Sequence, residues 1–161
     1  MDIRATTKAD WMLLKHVRLA ALLDAQTAFA VSYRTAAGYD RSQWEQRASS
    51  INTEFWLAFQ GSRPVGMVGA TVSESNRFNL IGMWVEPQFR GTGIAKSLVD
   101  TVKARSIQRG CDGVFLDVSP ENTRASNFYL KLGFVFLDEW EPLESHPQIS
   151  VQAMVWHSTR C

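Results

Sequence analysis

The sequence predicts an α/β fold, a mixed β-sheet flanked by helices. Three observations lead there. Strand-like segments dominate the early and late parts of the chain, and a strand–helix–strand unit occupies residues 78–118 between them. Such a crossover joins parallel strands and is right-handed almost without exception, so one strand pair is expected to be parallel in a mostly antiparallel sheet. The third observation is size: 161 residues with 45% hydrophobic and 20% charged side chains suit one globular domain, residues 1–161, around one core.

Asp2–Ala5 reads as a short strand. A helix follows, opened by Thr7 with Asp10 three residues on, the spacing of a capping box, and carried by Leu13, Leu14, Val17 and Ala21. From Gln26 to Gly38 the periodicity breaks down into a partly apolar loop. Asp40 then caps a short helix that contains Trp44. Phe55–Phe59 is an aromatic strand, and the turn Gly61-Ser-Arg-Pro64 returns it as Val65–Val72, a hairpin. Phe78–Val85 is the next strand, closed by Pro87, which has no N–H for a ladder. The clearest helix starts after Gly93: Ile94, Leu98 and Val102 recur every four residues with Val99 alongside, and Gly110 ends it. Val114–Val118 is a nearly continuous apolar strand interrupted by Asp117. A second capped helix runs from Thr123 to Leu132 and stops at Gly133. Two last strands, Phe134–Trp140 and Ile149–His157, are separated by a loop holding Pro142 and Pro147.

Composition argues against several function classes. Lys+Arg 17 against Asp+Glu 16 leaves a net charge of +1, too small for a broad field over a nucleic-acid backbone, so no nucleic-acid partner is expected. Two cysteines, Cys111 and Cys161, and three scattered histidines suit neither a disulfide scaffold nor a four-ligand zinc site, and no metal is expected. The start MDIRATTKADW is too polar for a signal peptide or an anchor, and no apolar run reaches the ~18 residues of a spanning helix. The expectation is a cytoplasmic chain with no membrane partner, and a homodimer is compatible with it.

The sharpest motif is Val85-Glu-Pro-Gln-Phe-Arg90-Gly91-Thr92-Gly93-Ile94-Ala95-Lys96, where a strand enters a glycine-rich turn that opens a helix. Unpaired N–H groups and the positive end of the helix dipole converge there, and a phosphate or pyrophosphate is the natural guest. The plain alternative is a tight turn that uses glycine for a positive φ. Two other phosphate loops fail by count. The dinucleotide fingerprint G-x-G-x-x-G needs a glycine where Lys96 stands, and an ATP-type P-loop aligned on Lys96-Ser97 meets Arg90 and Ala95 at its glycine positions.

The segment resembles the acetyl-coenzyme A loop of the GNAT superfamily of N-acetyltransferases, whose pattern is Arg or Gln, two residues, Gly, one residue, then Gly or Ala. Arg90-Gly-Thr-Gly93-Ile-Ala95 matches it, and Gln88-Phe-Arg-Gly91-Thr-Gly93 gives an overlapping match. A second block, Leu116-Asp-Val-Ser-Pro-Glu-Asn122 with Ala125 and Phe128-Tyr129-Leu-Lys-Leu-Gly-Phe134, is similar to the family's next strand and helix. The order of elements agrees over essentially the whole chain, most loosely in the first fifty residues.

The resemblance implies a GNAT-like central twisted, mostly antiparallel sheet with one parallel strand pair and flanking helices. It also implies direct, ternary-complex transfer of an acetyl group from acetyl-CoA to a primary amine, the acceptor being a small amine, an amino-acid-like metabolite or a protein N-terminus. No cysteine lies in either block to carry the acetyl group. The implied coenzyme contacts are Arg90, Gly91, Thr92, Gly93, Ile94, Ala95 and Lys96 in the loop, and Asn122 at the pantetheine arm. Tyr129 would stand beside the thioester sulfur. Trp84 and Val85 would lie at the end of Met83-Trp84-Val85, where a bulged strand offers a backbone N–H to the thioester carbonyl.

Acetyl transfer needs a held donor, a deprotonated amine, a stabilised oxyanion and a departing thiolate. Tyr129 matches the family's leaving-group acid. Against reference pKa values of ~10 for Tyr and ~8.5 for a thiol, full proton transfer is uphill by about 2 kcal/mol, so Tyr129 is expected to donate a hydrogen bond more than a whole proton. Its plain alternative is a helix Tyr packed on the sheet. An amine of pKa ~10.4 also needs a base or a water chain. Asp117 is the carboxylate inside an apolar strand run, with parity opposite to Leu116 and Val118. In the family's ribosomal-protein N-terminal acetyltransferases an acidic residue at the matching position is the base; the alternative is an Asp that faces water or caps a turn. Glu86 is the second candidate. Where family members often carry a base on the preceding strand, this chain has Asn79 and Ile81, and neither can serve.

The remaining residues have plainer readings. Trp56, Trp84 and Trp156 read as core. Phe29, Tyr33, Trp44 and Trp140 lie near loops that line the family's acceptor side. His16 reads as solvated, and His146 sits in a loop within reach of the acceptor. Lys96, Arg124 and Lys131 are candidates to pair with coenzyme A phosphates. The competing reading is a non-catalytic acyl-CoA-binding or regulatory module of the same fold, against which Tyr129 and Asn122 argue.

Overall fold

Local signals set most element boundaries in the computed structural model, which describes residues 2–25, 28–29 and 31–158. Arg4 of β1 (Asp2–Ala5) clamps Asp10 through two bonds of 2.9 and 3.0 Å, and the Thr7 N–H donates to the same carboxylate at 2.8 Å. A 3-10 turn at Lys8–Asp10 leads from this clamp into α1 (Trp11–Asp24). Within the segment read as loop, Ser32 caps a short helix, α2 (Tyr33–Ala37), whose five residues are too few to show a period. Gln26, Thr27 and Ala30 of that segment, like Cys161, lie outside the described residues. Asp40 caps α3 (Arg41–Ala48) by accepting the Gln43 N–H at 2.9 Å, as its sequence position predicts.

The hairpin β2 (Thr53–Gln60) and β3 (Arg63–Val72) continues antiparallel into β4 (Phe78–Val85). Then α4 (Ile94–Gln108) crosses to β5 (Gly113–Val118), and α5 (Thr123–Lys131) leads to β6 (Val135–Leu143) and β7 (His146–His157). The expected loop around Pro142 and Pro147 is strand instead, with Glu144-Ser145 the whole connection. β6 is an edge strand with an irregular register at Pro142/Leu143, so a residue without an N–H interrupts no interior ladder.

The strand order is β1-β2-β3-β4-β5-β7-β6, antiparallel throughout except for β4–β5. This is the mostly antiparallel sheet with one parallel pair. Apolar packing covers both faces of it, rather than forming the one body expected. On one face Leu98, Val99 and Val102 of α4 and Tyr129 of α5 meet Val65, Leu80 and Leu116. On the other, Leu14, Val17 and Ala21 of α1 and Trp44 of α3 meet Leu57 and Met67. Among the described residues no helix is long and apolar enough to cross a membrane.

Two irregularities in β4 position the site. Met67 lies opposite Trp84 but Gly69 opposite Ile81, so β4 carries one extra residue there. Gly82, with φ +59°, takes up the extra residue in a conformation that suits glycine. Side-chain parity flips across this bulge. Phe78 and Leu80 pack toward α4 and Ile81 toward α1, yet beyond it Trp84 packs toward α1 and Val85 toward α4. The second irregularity is the β4–β5 ladder, which consists of a single register pair, Asn79 with Phe115. Toward their C-terminal ends the two parallel strands part.

Candidate active site

The parting of β4 and β5 opens a cleft of about 1620 Å³, walled by Asn79–Val85, by Phe115–Val118 and by Glu139–Leu143. Gly91, Gly93 and Ala95 of the glycine turn and Asn122 and Tyr129 of the second motif also line it. The two motifs, far apart in the chain, thus meet at one opening.

The glycine turn faces open space. Gly91 and Gly93 have φ of +80° and +90°, and a Cβ on either would meet no atom within 4 Å. Glycine is therefore required by the backbone conformation, not by crowding from the protein, and the surface above it is free for a ligand. The first helical rung runs from the Ser97 N–H to the Gly93 carbonyl at 3.1 Å, so the N–H groups of Ile94, Ala95 and Lys96 precede the ladder. Ile94 is buried, and the Thr92 hydroxyl donates to the Phe89 carbonyl; neither side chain lines the cleft. Lys96 pairs with Asp100 at 2.8 Å. Arg124 lines the cleft and Lys131 does not.

Arg90 braces the turn. Its Nε donates to the Val85 carbonyl at 3.1 Å and its Nη2 to Asp24 Oδ2 at 2.6 Å. The same oxygen accepts the Trp84 indole N–H at 3.0 Å. One carboxylate at the end of α1 thereby joins the end of β4 to the glycine turn. The Trp84 bond, and then Arg90, hold Asp24 below the usual carboxylate range against the opposing effect of burial.

Asn122 caps α5, its Oδ1 accepting the Ala125 N–H at 3.2 Å. Two turns on, Tyr129 is buried between the edge-on rings of Phe128 and Phe134, with centroids at 5.2 and 5.6 Å. Burial raises its phenol pKa well above the ordinary value, so the hydroxyl keeps its proton at any neutral working pH. Asp117 is exposed to the cleft, on the parity opposite to the buried Leu116 and Val118. Loss of solvent raises its pKa, and repulsion from Glu141 and Glu139 adds to this; Arg77 works the other way. That Arg77 is itself forked onto Glu139 at 2.6 and 3.1 Å.

Several expectations are corrected here. Glu86, the second base candidate, is bound by Arg63 and Gln88 and does not line this cleft. Of the four aromatics expected on the acceptor side, Phe29 and Trp140 line the cleft, while Trp44 is 1% exposed in the core and Tyr33 lies off the lining. His146 also lies off it, with its Nδ1 2.9 Å from Ser145 Oγ. Trp56 and Trp84 are buried and Trp156 packs beside the core, as read. His16 is exposed, as read.

Sequence reasoning missed Asp24 and Arg18. Nothing local marks Asp24, whose partner is 66 residues away. Arg18 does leave a signal: it stands inside the buried stripe Leu14, Val17, Ala21 and Leu22, four residues from two of its members.

A seven-stranded sheet parted at its one parallel pair, with a glycine turn at the mouth, defines the acetyltransferase class of fold. The crystal structure of an acetyltransferase of the GNAT family from Streptococcus pneumoniae matches with a TM-score of 0.77 at 20% identity, over 98% of this chain and 99% of that one. A Bacillus anthracis structure in complex with acetyl coenzyme A matches with a TM-score of 0.61 at 19% identity, over 70% and 66%. At these identities the likeness is one of fold. The family model described as Acetyltransferase (GNAT) family matches residues 19–134, and the chain belongs to that family. It is also similar to N-acetyltransferase 8B of Rattus norvegicus, 36% identical over 99 residues that make up 58% of this chain and 45% of the relative. The chain thus spans less than half the length of that relative.

Proposed function

We propose that the chain is an acetyl-CoA-dependent N-acetyltransferase that acetylates a primary amine by direct transfer, residues 1–161 working as one domain. The observation that carries this reading is the meeting, in one cleft, of a glycine turn with unpaired N–H groups, a protonated Tyr129 and an open Asp117. Acetyl-CoA supplies an activated acetyl thioester. The N–H groups of residues 91–96 hold its pyrophosphate, and Arg124, which lines the same cleft, meets a phosphate. Asn122, its oxygen committed to the α5 cap, keeps its amide N–H₂ for the pantetheine arm.

The chemistry falls to three places on the chain. Beyond the Gly82 bulge, the backbone of Met83-Trp84-Val85 supplies an N–H where negative charge grows on the carbonyl oxygen; such donors are worth about 3–4 kcal/mol. Asp117 takes the ammonium proton, its raised pKa bringing it closer to the working pH of a general base. Tyr129 donates a hydrogen bond to the departing sulfur and keeps its own proton.

The test is thiol release from acetyl-CoA across a panel of amines. Release with at least one amine, and a matching acetylated product, is the expected result. Tight coenzyme binding with no release for any amine would make the chain a binding module instead.

A further inference from the structure

Arg18 sits where a charge needs explaining. It projects from α1 into the wall of the cleft, and its Nη1 is buried with no hydrogen-bond partner. Its guanidinium lies over the Phe29 ring, 5.6 Å from the centroid. No carboxylate among the described residues pairs with it. Burial works most strongly against its charge, and Arg47 repels it as well. A guanidinium stays protonated under such conditions, and a buried cation without an anion is costly to keep.

Its place is informative. A Cβ on Gly82 would come within 2.8 Å of Nη1, so the guanidinium rests against the bare backbone of the β4 bulge. That bulge precedes the N–H groups assigned to the thioester carbonyl, so Arg18 borders the point of transfer. Farther along the same cleft stand Asp117 and Glu141, two carboxylates that favour an ammonium, while Glu139 beside them is already paired with Arg77. One cleft therefore offers an unpaired cation and two carboxylates to the same acceptor.

We infer that the acceptor is an amino acid bearing a free carboxylate, which Arg18 binds beside the β4 bulge while the amine faces Asp117. The planar fork of a guanidinium matches a carboxylate in two parallel bonds, and a carboxylate arriving with the acceptor supplies the missing anion. A peptide N-terminus presents an amide where an amino acid presents its carboxylate, so it would leave Arg18 unpaired. The inference rests on the transferase reading above and narrows its acceptor class.

The experiment compares each common L-amino acid with its own α-carboxamide, by acetyl-CoA turnover and by calorimetric binding to the protein–coenzyme A complex. The expected result is at least one amino acid preferred over its amide by roughly tenfold to a hundredfold in kcat/KM, as one charged fork supplies. In Arg18→Met that preference should collapse to within about threefold with coenzyme affinity unchanged, and Arg18→Lys should keep part of it. The wild-type comparison stands even if a variant fails to fold. Amides used as well as or better than amino acids would overturn the Arg18 assignment and leave the transferase reading intact. Selective carboxylate binding with no turnover for any amine would do the reverse. A carboxylate preference that survives in Arg18→Met would also overturn the assignment.

Discussion

Replacing Asp24 with Asn removes one negative charge and almost no volume, so it isolates the strut that joins α1 and β4 to the glycine turn. Asp24 Oδ2 accepts from Trp84 Nε1 at 3.0 Å and from Arg90 Nη2 at 2.6 Å. Each bond to a charged group contributes roughly 1.5–3 kcal/mol when shielded. Here the Arg90 and Asp24 side chains are 31% and 32% exposed, and solvent screening brings the pair down to about 1–2 kcal/mol in all. Part of that loss should appear as a lower Tm and part as a looser turn, raising KM for acetyl-CoA roughly three- to tenfold while kcat stays within about twofold. The pH dependence follows from the depressed pKa of Asp24. The contribution is present above the unfolded value of ~3.9 and is lost as pH falls through the lower folded value. The Tm gap between wild type and Asp24→Asn should therefore be full at pH 7 and close below about pH 4. Melting curves from pH 7 to pH 3 and a KM at neutral pH are sufficient. A gap that widens in acid, or a lowered Tm with unchanged KM, would refute the reasoning.

Tyr129→Phe should lower kcat and kcat/KM together by roughly ten- to a hundredfold with coenzyme affinity nearly unchanged, since the lost bond of about 1.5–3 kcal/mol forms as the sulfur departs. A near-normal kcat, or a defect confined to KM, would return Tyr129 to packing. Gly93→Val should weaken acetyl-CoA binding at least tenfold by calorimetry, because φ +90° strains a branched residue and the side chain would stand over the turn; unchanged affinity in a folded variant removes the cradle. Asp117→Asn should slow turnover at pH 7, with a smaller loss at pH 9, where more amine is already neutral. Because the folded pKa of Asp117 is raised, its ionisation opposes folding once pH passes the unfolded value, so the variant should melt at or above wild type at pH 7. A wild-type rate at pH 7 would move the base to water.

How much of this was legible depends on the range over which each feature is encoded. The long helix α4 is legible because its apolar period repeats within the helix and its end carries a glycine, and the two motif blocks are legible because each lies in one stretch of chain. The Gly82 bulge is not. A single extra residue looks like any other strand position until its partner on β3 is known, yet it reverses the facing of Trp84 and Val85. α2 is too short to show a period, and the prolines of the last hairpin suggest a loop because the edge position of Pro142 and the place of Pro147 beyond the β5 ladder are properties of the sheet, not of the strand. Asp24 and Arg90 meet across 66 residues, with no local trace of the pairing. Arg18 differs. A cation in the middle of a buried helical stripe is visible in the sequence alone, and its meaning waits only on knowing what that stripe faces.

The single register pair between β4 and β5 has a mechanical consequence. The sheet is two plates, β1 to β4 and β5-β7-β6, joined by one register pair, by the Arg77–Glu139 fork and by α4, which packs against both. Each plate presents an unmatched backbone edge to the other along the seam. A ligand that spans the seam acts as mortar as well as substrate, stiffening one plate against the other and stabilising the fold by about 2.7 kcal/mol at a hundredfold excess over its Kd. Linkage makes the effect reciprocal: whatever loosens the joint, even in the far strand β1, which does not line the cleft, weakens the grip on the ligand without touching it. Substitutions at a distance that disturb binding have, in such a sheet, an ordinary mechanical cause.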